Sequence, residues 1–82
     1  MKLPVIRQFF QQHSTEQLNT ALKVLESFCE FRGVSEHEVD VAGEMITNIC
    51  GALEVHEKIK EGITEKDALN AFAQRVMGSI DR

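Results

Sequence analysis

The chain has 82 residues, of which 43% are hydrophobic and 27% charged, and its formal net charge is −4. This length allows one domain, residues 1–82, and the composition is that of a globular protein rather than a disordered one. Its nine basic residues are scattered, so we expect no basic face that would bind nucleic acid or an anionic membrane.

The first predicted element is a short helix over residues 4–12. Pro4 suits the first helical position, where its missing N–H leaves no bond unmade. Ile6, Phe9 and Phe10 follow at helical spacing. Such a short helix is not stable alone, so it must dock on the rest of the chain.

The second helix is predicted over residues 15–32. Ser14 and Gln17 fit a capping box, in which each residue satisfies a backbone N–H of the other. We expect Gly33 to end the helix in the left-handed conformation. An apolar stripe at helical spacing comprises Leu18, Ala21, Leu22, Leu25, Phe28 and Cys29.

A long third helix is predicted over residues 36–61, with Ser35 and Glu38 as its capping box. The apolar arc is too wide for one neighbouring helix to cover, so at least two must pack against it. Its members are Val39, Ala42, Met45, Ile46, Ile49, Cys50, Ala52, Leu53, His56 and Ile59. The opposite stripe is predicted to be solvated and holds Asp40, Glu44, Thr47, Gly51, Glu54, Lys58 and Glu61.

The fourth helix is predicted over residues 65–79, after a weaker repeat of the same turn chemistry at Gly62, Thr64 and Asp67. Short connections favour antiparallel neighbours. We therefore predict an all-α fold, a small antiparallel bundle of a short N-terminal helix and three longer ones. The apolar face of the last helix is Leu69, Phe72, Ala73, Val76 and Ile80, widened by Ala68 and Met77.

Val24 and Phe31 lie to one side of the stripe on the second helix. They either receive the first helix or form a dimer surface. Because the chain is small and its central apolar face is wide, we predict a two-fold homodimer whose interface includes Val24, Phe31, Phe9 and Phe10.

His56 lies in the middle of the predicted apolar arc and has no metal ligand at helical spacing on its own helix. Folding the two hairpins about their turns brings it level with His13, Glu16 and Asn70. One interpretation is a metal or proton site of His13, Glu16 and His56. The alternative, which we favour, is a packed imidazole with one hydrogen-bond partner.

No residue pattern indicates an enzyme or a resident cofactor. Ser14 and Ser35 are capping residues, the paired carboxylates suit helix starts or the solvated stripe, and the nucleotide-binding, hydrolase and calcium-loop motifs do not occur. The Asp-Ser-Leu attachment motif of acyl carriers is missing, and the last helix offers too few basic residues for a DNA-binding helix-turn-helix.

The cysteines, Cys29 and Cys50, are predicted to be too far apart along the hairpin for a disulfide and to act as buried small hydrophobes. The sequence contains no apolar run that could span a bilayer, and MKLPVIRQFF does not read as a signal peptide. We therefore expect a cytoplasmic protein with free thiols.

Three segments carry a resemblance to a known family: MKLPVI at residues 1–6, GEMITNICGALEVHEKIKEG at 43–62 and ALNAFAQRVMGSID at 68–81. They resemble a family of short, uncharacterised bacterial proteins. The resemblance implies a bacterial, all-helical, cytoplasmic protein, and it implies no activity and no functional residues.

Two functional hypotheses follow. The first is a non-enzymatic helical module that acts through protein–protein contacts as a homodimer. The second is a small-ligand or metal-responsive protein that uses His13, Glu16 and His56.

Overall fold

The computed structural model describes the backbone of residues 2–80 and the side chains of residues 2–76. Four α-helices follow one another: α1 (Leu3–Gln12), α2 (Thr15–Cys29), α3 (Glu36–Lys60) and α4 (Glu65–Ile80). The described backbone holds no β-strand, so the predicted all-α class is confirmed. Every predicted helix boundary agrees with the structure to within one residue, except the C-terminal end of α2, which is predicted at residue 32 and lies at Cys29.

Both predicted capping boxes are present. The Ser14 hydroxyl accepts from the Gln17 N–H at 3.2 Å, and the Gln17 side chain accepts from the Ser14 N–H at 3.1 Å. At the start of α3, the Ser35 hydroxyl accepts from the Glu38 N–H at 3.1 Å, and the Glu38 carboxylate accepts from the Ser35 N–H at 2.9 Å. These pairs satisfy backbone donors that the first helical turn leaves free.

The prediction that Gly33 ends α2 in the left-handed conformation is wrong. The helix already ends at Cys29, and within the described backbone only Gly62 has a positive φ. The chain instead leaves α2 through successive tight turns, in which the Phe31 N–H bonds the Phe28 carbonyl at 3.2 Å. These turns satisfy the last carbonyls of α2 without a left-handed residue.

Gly62 makes the left-handed cap at the end of α3, with a φ of 92°. Its N–H bonds the Ile59 carbonyl at 3.0 Å, and the Ile63 N–H bonds the Lys58 carbonyl at 3.0 Å. This pair of bonds is the Schellman arrangement, which favours glycine at the left-handed position.

Helix α3 is the centre of the fold. It packs against α2 on one side and against α1 and α4 on the other, and α1 also contacts α4. The molecule measures 43 × 33 × 17 Å, so its helices form a flat arrangement. The buried core cluster comprises Ile6, Leu18, Ile49, Ala52, Val55, Ala68, Leu69 and Phe72. Met77 and Ile80, predicted to extend the apolar face of α4, lie outside the described side chains.

Gly51 is buried, and its assignment to the solvated stripe of α3 is wrong. A Cβ atom at this position would lie 2.8 Å from Cδ1 of Ile6 and 2.9 Å from Cε2 of Phe72. Thus α1 and α4 both approach the backbone of α3 here. Asn48 and Val55, on the same side of α3, are also buried. The buried arc of α3 is therefore rotated about the helix axis relative to the predicted arc.

Side chains at the other edge of the predicted arc are correspondingly exposed. Val39 is 37% exposed, and Cys50 is also exposed rather than buried. Cys29 is half-buried, and both thiols are free, as predicted. Although Cys50 is exposed as a residue, partial burial of its thiol, aided by the Glu26 carboxylate, raises the pKa of Cys50, so its thiol is a poorer nucleophile than one fully in water.

Candidate functional site

An apolar groove runs between α2 and α3. Its first section, at the start of α2, has a volume of about 530 Å³ and is lined by Phe9, His13, Gln17, Leu18, Ala21, Val24, Leu25, Met45 and Ile49. Its second section, at the end of α2, has a volume of about 280 Å³ and is lined by Leu25, Phe28, His37, Glu38, Val41, Ala42 and Met45. Leu25 and Met45 belong to both sections, so the two form one continuous α2–α3 groove.

The rims of the α2–α3 groove are apolar and exposed. Val24 on α2 is 63% exposed, and Val41 and Met45 on α3 are 51% and 42% exposed. Leu18 and Ile49 are buried in the core cluster beneath. Single exposed apolar side chains are ordinary on protein surfaces, whereas a contiguous set is typical of a binding surface.

Polar side chains lie at the two ends of the groove: His13 and Gln17 at the start of α2, and His37 and Glu38 at its end. The Glu38 carboxylate accepts the Ser35 N–H. This bond, together with the Ser35 hydroxyl, lowers the pKa of Glu38, so its carboxylate is negative at neutral pH.

The predicted interface residues have different surroundings. Val24 and Phe9 line the α2–α3 groove, and Phe31, just beyond α2, is 69% exposed. Helix α1 packs on α3 and α4 and leaves Val24 and Phe31 uncovered, so the alternative in which they receive the first helix is wrong. Phe10 packs within the chain, with its ring centroid 4.6 Å from that of His56.

His56 lies where hairpin geometry predicted, next to the turn before α2. Its Nε2 atom is 2.9 Å from the backbone carbonyl oxygen of His13. Because a carbonyl oxygen only accepts, Nε2 carries the proton and donates it in this bond. The imidazole therefore links α3 to the turn between α1 and α2, as in the favoured interpretation of one hydrogen-bond partner.

The structure does not assemble His13, Glu16 and His56 into a metal site. Across the described side chains, no three His, Cys, Asp or Glu residues lie close enough to hold a metal ion. The His13 ring packs edge-on against Phe9, with centroids 6.4 Å apart, while Glu16 is exposed in the first turn of α2. Asn70, the other predicted neighbour, is exposed and lines a small cleft with Arg7 and Lys66.

Sequence reasoning missed Asn48 as a structural polar residue. Its side-chain oxygen accepts the Lys2 N–H at 3.0 Å, and its amide nitrogen donates to Glu44 at 3.2 Å. Asn48 is 4% exposed, so these bonds satisfy a buried amide and fix the start of α1 on α3. The sequence does not predict this burial, because Asn48 is polar and lies outside the predicted apolar arc of α3.

Comparison with known proteins identifies the family of the chain. Residues 1–81 match a family of unknown function, DUF6952, and the chain is therefore a member of this family. The resemblance to a family of uncharacterised proteins is confirmed. Neither a curated protein nor a solved structure matches the chain. Within the described residues, no helix has the length and hydropathy required to cross a membrane.

Proposed function

We propose that the protein is a non-enzymatic helical module that acts through protein–protein contacts as a homodimer. The observation that carries this proposal is the continuous α2–α3 groove, whose Val24, Val41 and Met45 side chains are exposed. A bacterial origin and a cytoplasmic location, favoured by the family resemblance and the free thiols, belong to the same proposal.

The size of the chain supports a second subunit. A domain of 82 residues buries a smaller fraction of its surface than a larger domain does, and small domains often gain stability from a metal, disulfides or a partner. Both cysteines are free here, and the described side chains hold no metal-binding cluster. Covering the exposed groove would remove further apolar surface from water, at roughly 25 cal/mol per Å².

Light scattering coupled to size-exclusion chromatography tests the homodimer. We expect the wild-type protein to have twice the mass of one chain. Val24→Glu places a charge in the groove, and should weaken dimerisation by more than about tenfold because a buried unpaired charge costs well over 1.4 kcal/mol. Asn19→Glu adds the same charge to an exposed position on the opposite side of α2 and should leave the mass unchanged.

Far-ultraviolet circular dichroism of both variants verifies that the helices are intact. A wild-type monomer at high protein concentration would contradict the proposal. Equal weakening by Val24→Glu and Asn19→Glu would show that the groove is not the contact surface.

A second candidate function rests on the volume of the first groove section. A volume of about 530 Å³ lies within the usual range for small-ligand sites, roughly 300–1,000 Å³, and His13 and Gln17 could bind a polar end of an apolar molecule. Native mass spectrometry of untagged protein tests this function. A bound molecule of constant mass that Val24→Glu removes would support it, whereas ligand-free protein would contradict it.

A further inference from the structure

The two ends of the α2–α3 groove differ in chemistry, and this difference gives the groove a direction. His13 and Gln17 lie at one end, His37 and Glu38 at the other, and the residues lining the groove between them carry no charged side chain. Two copies joined by a two-fold axis use the same surface on both subunits. Their grooves then run either in opposite directions or in the same direction.

We infer that two copies pack groove on groove in opposite directions, about a two-fold axis that crosses the groove near Val24 and Met45. Each copy's His13 end then meets the partner's Glu38 end. This arrangement rests on the proposed homodimer and specifies which residues meet across it.

Charge favours opposite directions. With grooves in the same direction, the two Glu38 carboxylates would lie at the same end of the interface, where their like charges would repel. In opposite directions, each Glu38 carboxylate lies at the end of the interface that holds the partner's His13, whose imidazole can donate a hydrogen bond. The α2 helices then also lie antiparallel, so the partial charges at their ends are complementary.

Phe31 supports the same arrangement. It follows the end of α2 and is 69% exposed, although a phenylalanine is normally covered. At the opposite end of the groove lies the half-buried Phe9. Opposite directions bring Phe31 to the partner's Phe9 end, where each aromatic side chain gains apolar cover.

Cysteine cross-linking tests the arrangement. In a background of Cys29→Ser and Cys50→Ser, single variants Val24→Cys, His13→Cys and His37→Cys are oxidised with diamide at dimer-forming concentration. His13→Cys and His37→Cys are also mixed, one of them with a short tag so that each cross-linked pair has its own mass. Asn19→Cys, on the far side of α2, is the control.

We expect Val24→Cys to cross-link to itself and Asn19→Cys not to do so. The yield of the mixed His13→Cys/His37→Cys cross-link should exceed that of either like pair by about tenfold or more, which corresponds to roughly 1.4 kcal/mol. Predominant like pairs would overturn the arrangement while leaving the homodimer in place. A dimer by light scattering without a Val24→Cys cross-link would also overturn it. A monomer by light scattering would overturn the proposed homodimer itself, and the arrangement with it.

Discussion

Replacing Gly51 with alanine should destabilise the fold, although alanine is the better helix former. The new Cβ would lie 2.8 Å from Ile6 and 2.9 Å from Phe72, well inside van der Waals contact. Ile6 is fully buried and Phe72 is 4% exposed, so neither side chain can move into solvent. The clash must therefore be relieved inside the core, by rotating the end of the Ile6 side chain and displacing the Phe72 ring, or by shifting α1 and α4 away from α3.

Gly43→Ala is a matched control on the same helix, because nothing lies within 4 Å of a Cβ atom there. In both variants, alanine gains about 1 kcal/mol of helix propensity over glycine. Overpacking a core costs roughly 1–3 kcal/mol, and only Gly51→Ala carries that cost. The free energies of unfolding of the two variants should thus differ by about 1–3 kcal/mol, with Gly43→Ala the more stable.

Urea unfolding followed by far-ultraviolet circular dichroism measures this difference, since the chain has no Trp or Tyr for intrinsic fluorescence. Protein concentration is held constant, because dimerisation would otherwise alter the apparent stability. Ile6→Val removes the Cδ1 atom that the new Cβ meets. It should therefore be less destabilising in the Gly51→Ala background than in the wild type.

Equal stability of Gly51→Ala and Gly43→Ala would refute the close approach of α1 and α4 at Gly51. Additive effects of Ile6→Val and Gly51→Ala would show that Ile6 is not the residue that clashes.

Three further changes test local features. His56→Ala should lower the unfolding free energy by about 1–2 kcal/mol, because it removes a hydrogen bond to the His13 carbonyl and the ring contact with Phe10. Metal analysis of untagged protein should show no bound ion in either form, and an ion lost on mutation would favour the metal-responsive hypothesis. Because the folded pKa of Glu38 lies below its unfolded value, its capping contribution is present above the unfolded pKa and is lost as pH falls through the folded pKa. Urea titrations should therefore show that the Glu38→Gln variant loses less stability than the wild type between about pH 7 and about pH 3, and identical losses would contradict this role. Gly62→Ala should cost about 1–2 kcal/mol in thermal unfolding because φ is 92°, whereas Gly33→Ala should not, and equal losses would show that Gly62 carries no special conformational demand.

The helix starts could be predicted because their chemistry is local. A capping box needs two residues three apart, and the hydrogen bonds at Ser14 and Ser35 follow from that spacing. The helix ends depend on what the chain does next. Residues 61–64 reverse the chain over a short connection through Gly62, whereas residues 30–35 offer enough length for successive turns, and Gly33 is not left-handed.

The position of His56 could also be predicted, because the turn fixes which residues of an antiparallel hairpin are level. Its hydrogen-bond partner could not be predicted, because the acceptor is the backbone carbonyl of His13, and every residue carries such a group. The sequence pattern places Gly51 in solvent because it shares a helical stripe with Thr47 and Glu54, and a glycine has no side chain to indicate burial. Its burial depends on where α1 and α4 cross α3, which is set by packing far along the chain.

The same packing explains why the α2–α3 groove is open. Helices α1 and α4 occupy one side of α3 and leave α2 as its main neighbour on the other. The molecule is flat, with a smallest dimension of 17 Å, and the apolar rims of the groove stay exposed. Domains usually bury their apolar faces between two layers. A second copy, laid groove on groove, would cover this apolar face with its own helices, and its opposed direction would keep the two Glu38 carboxylates apart.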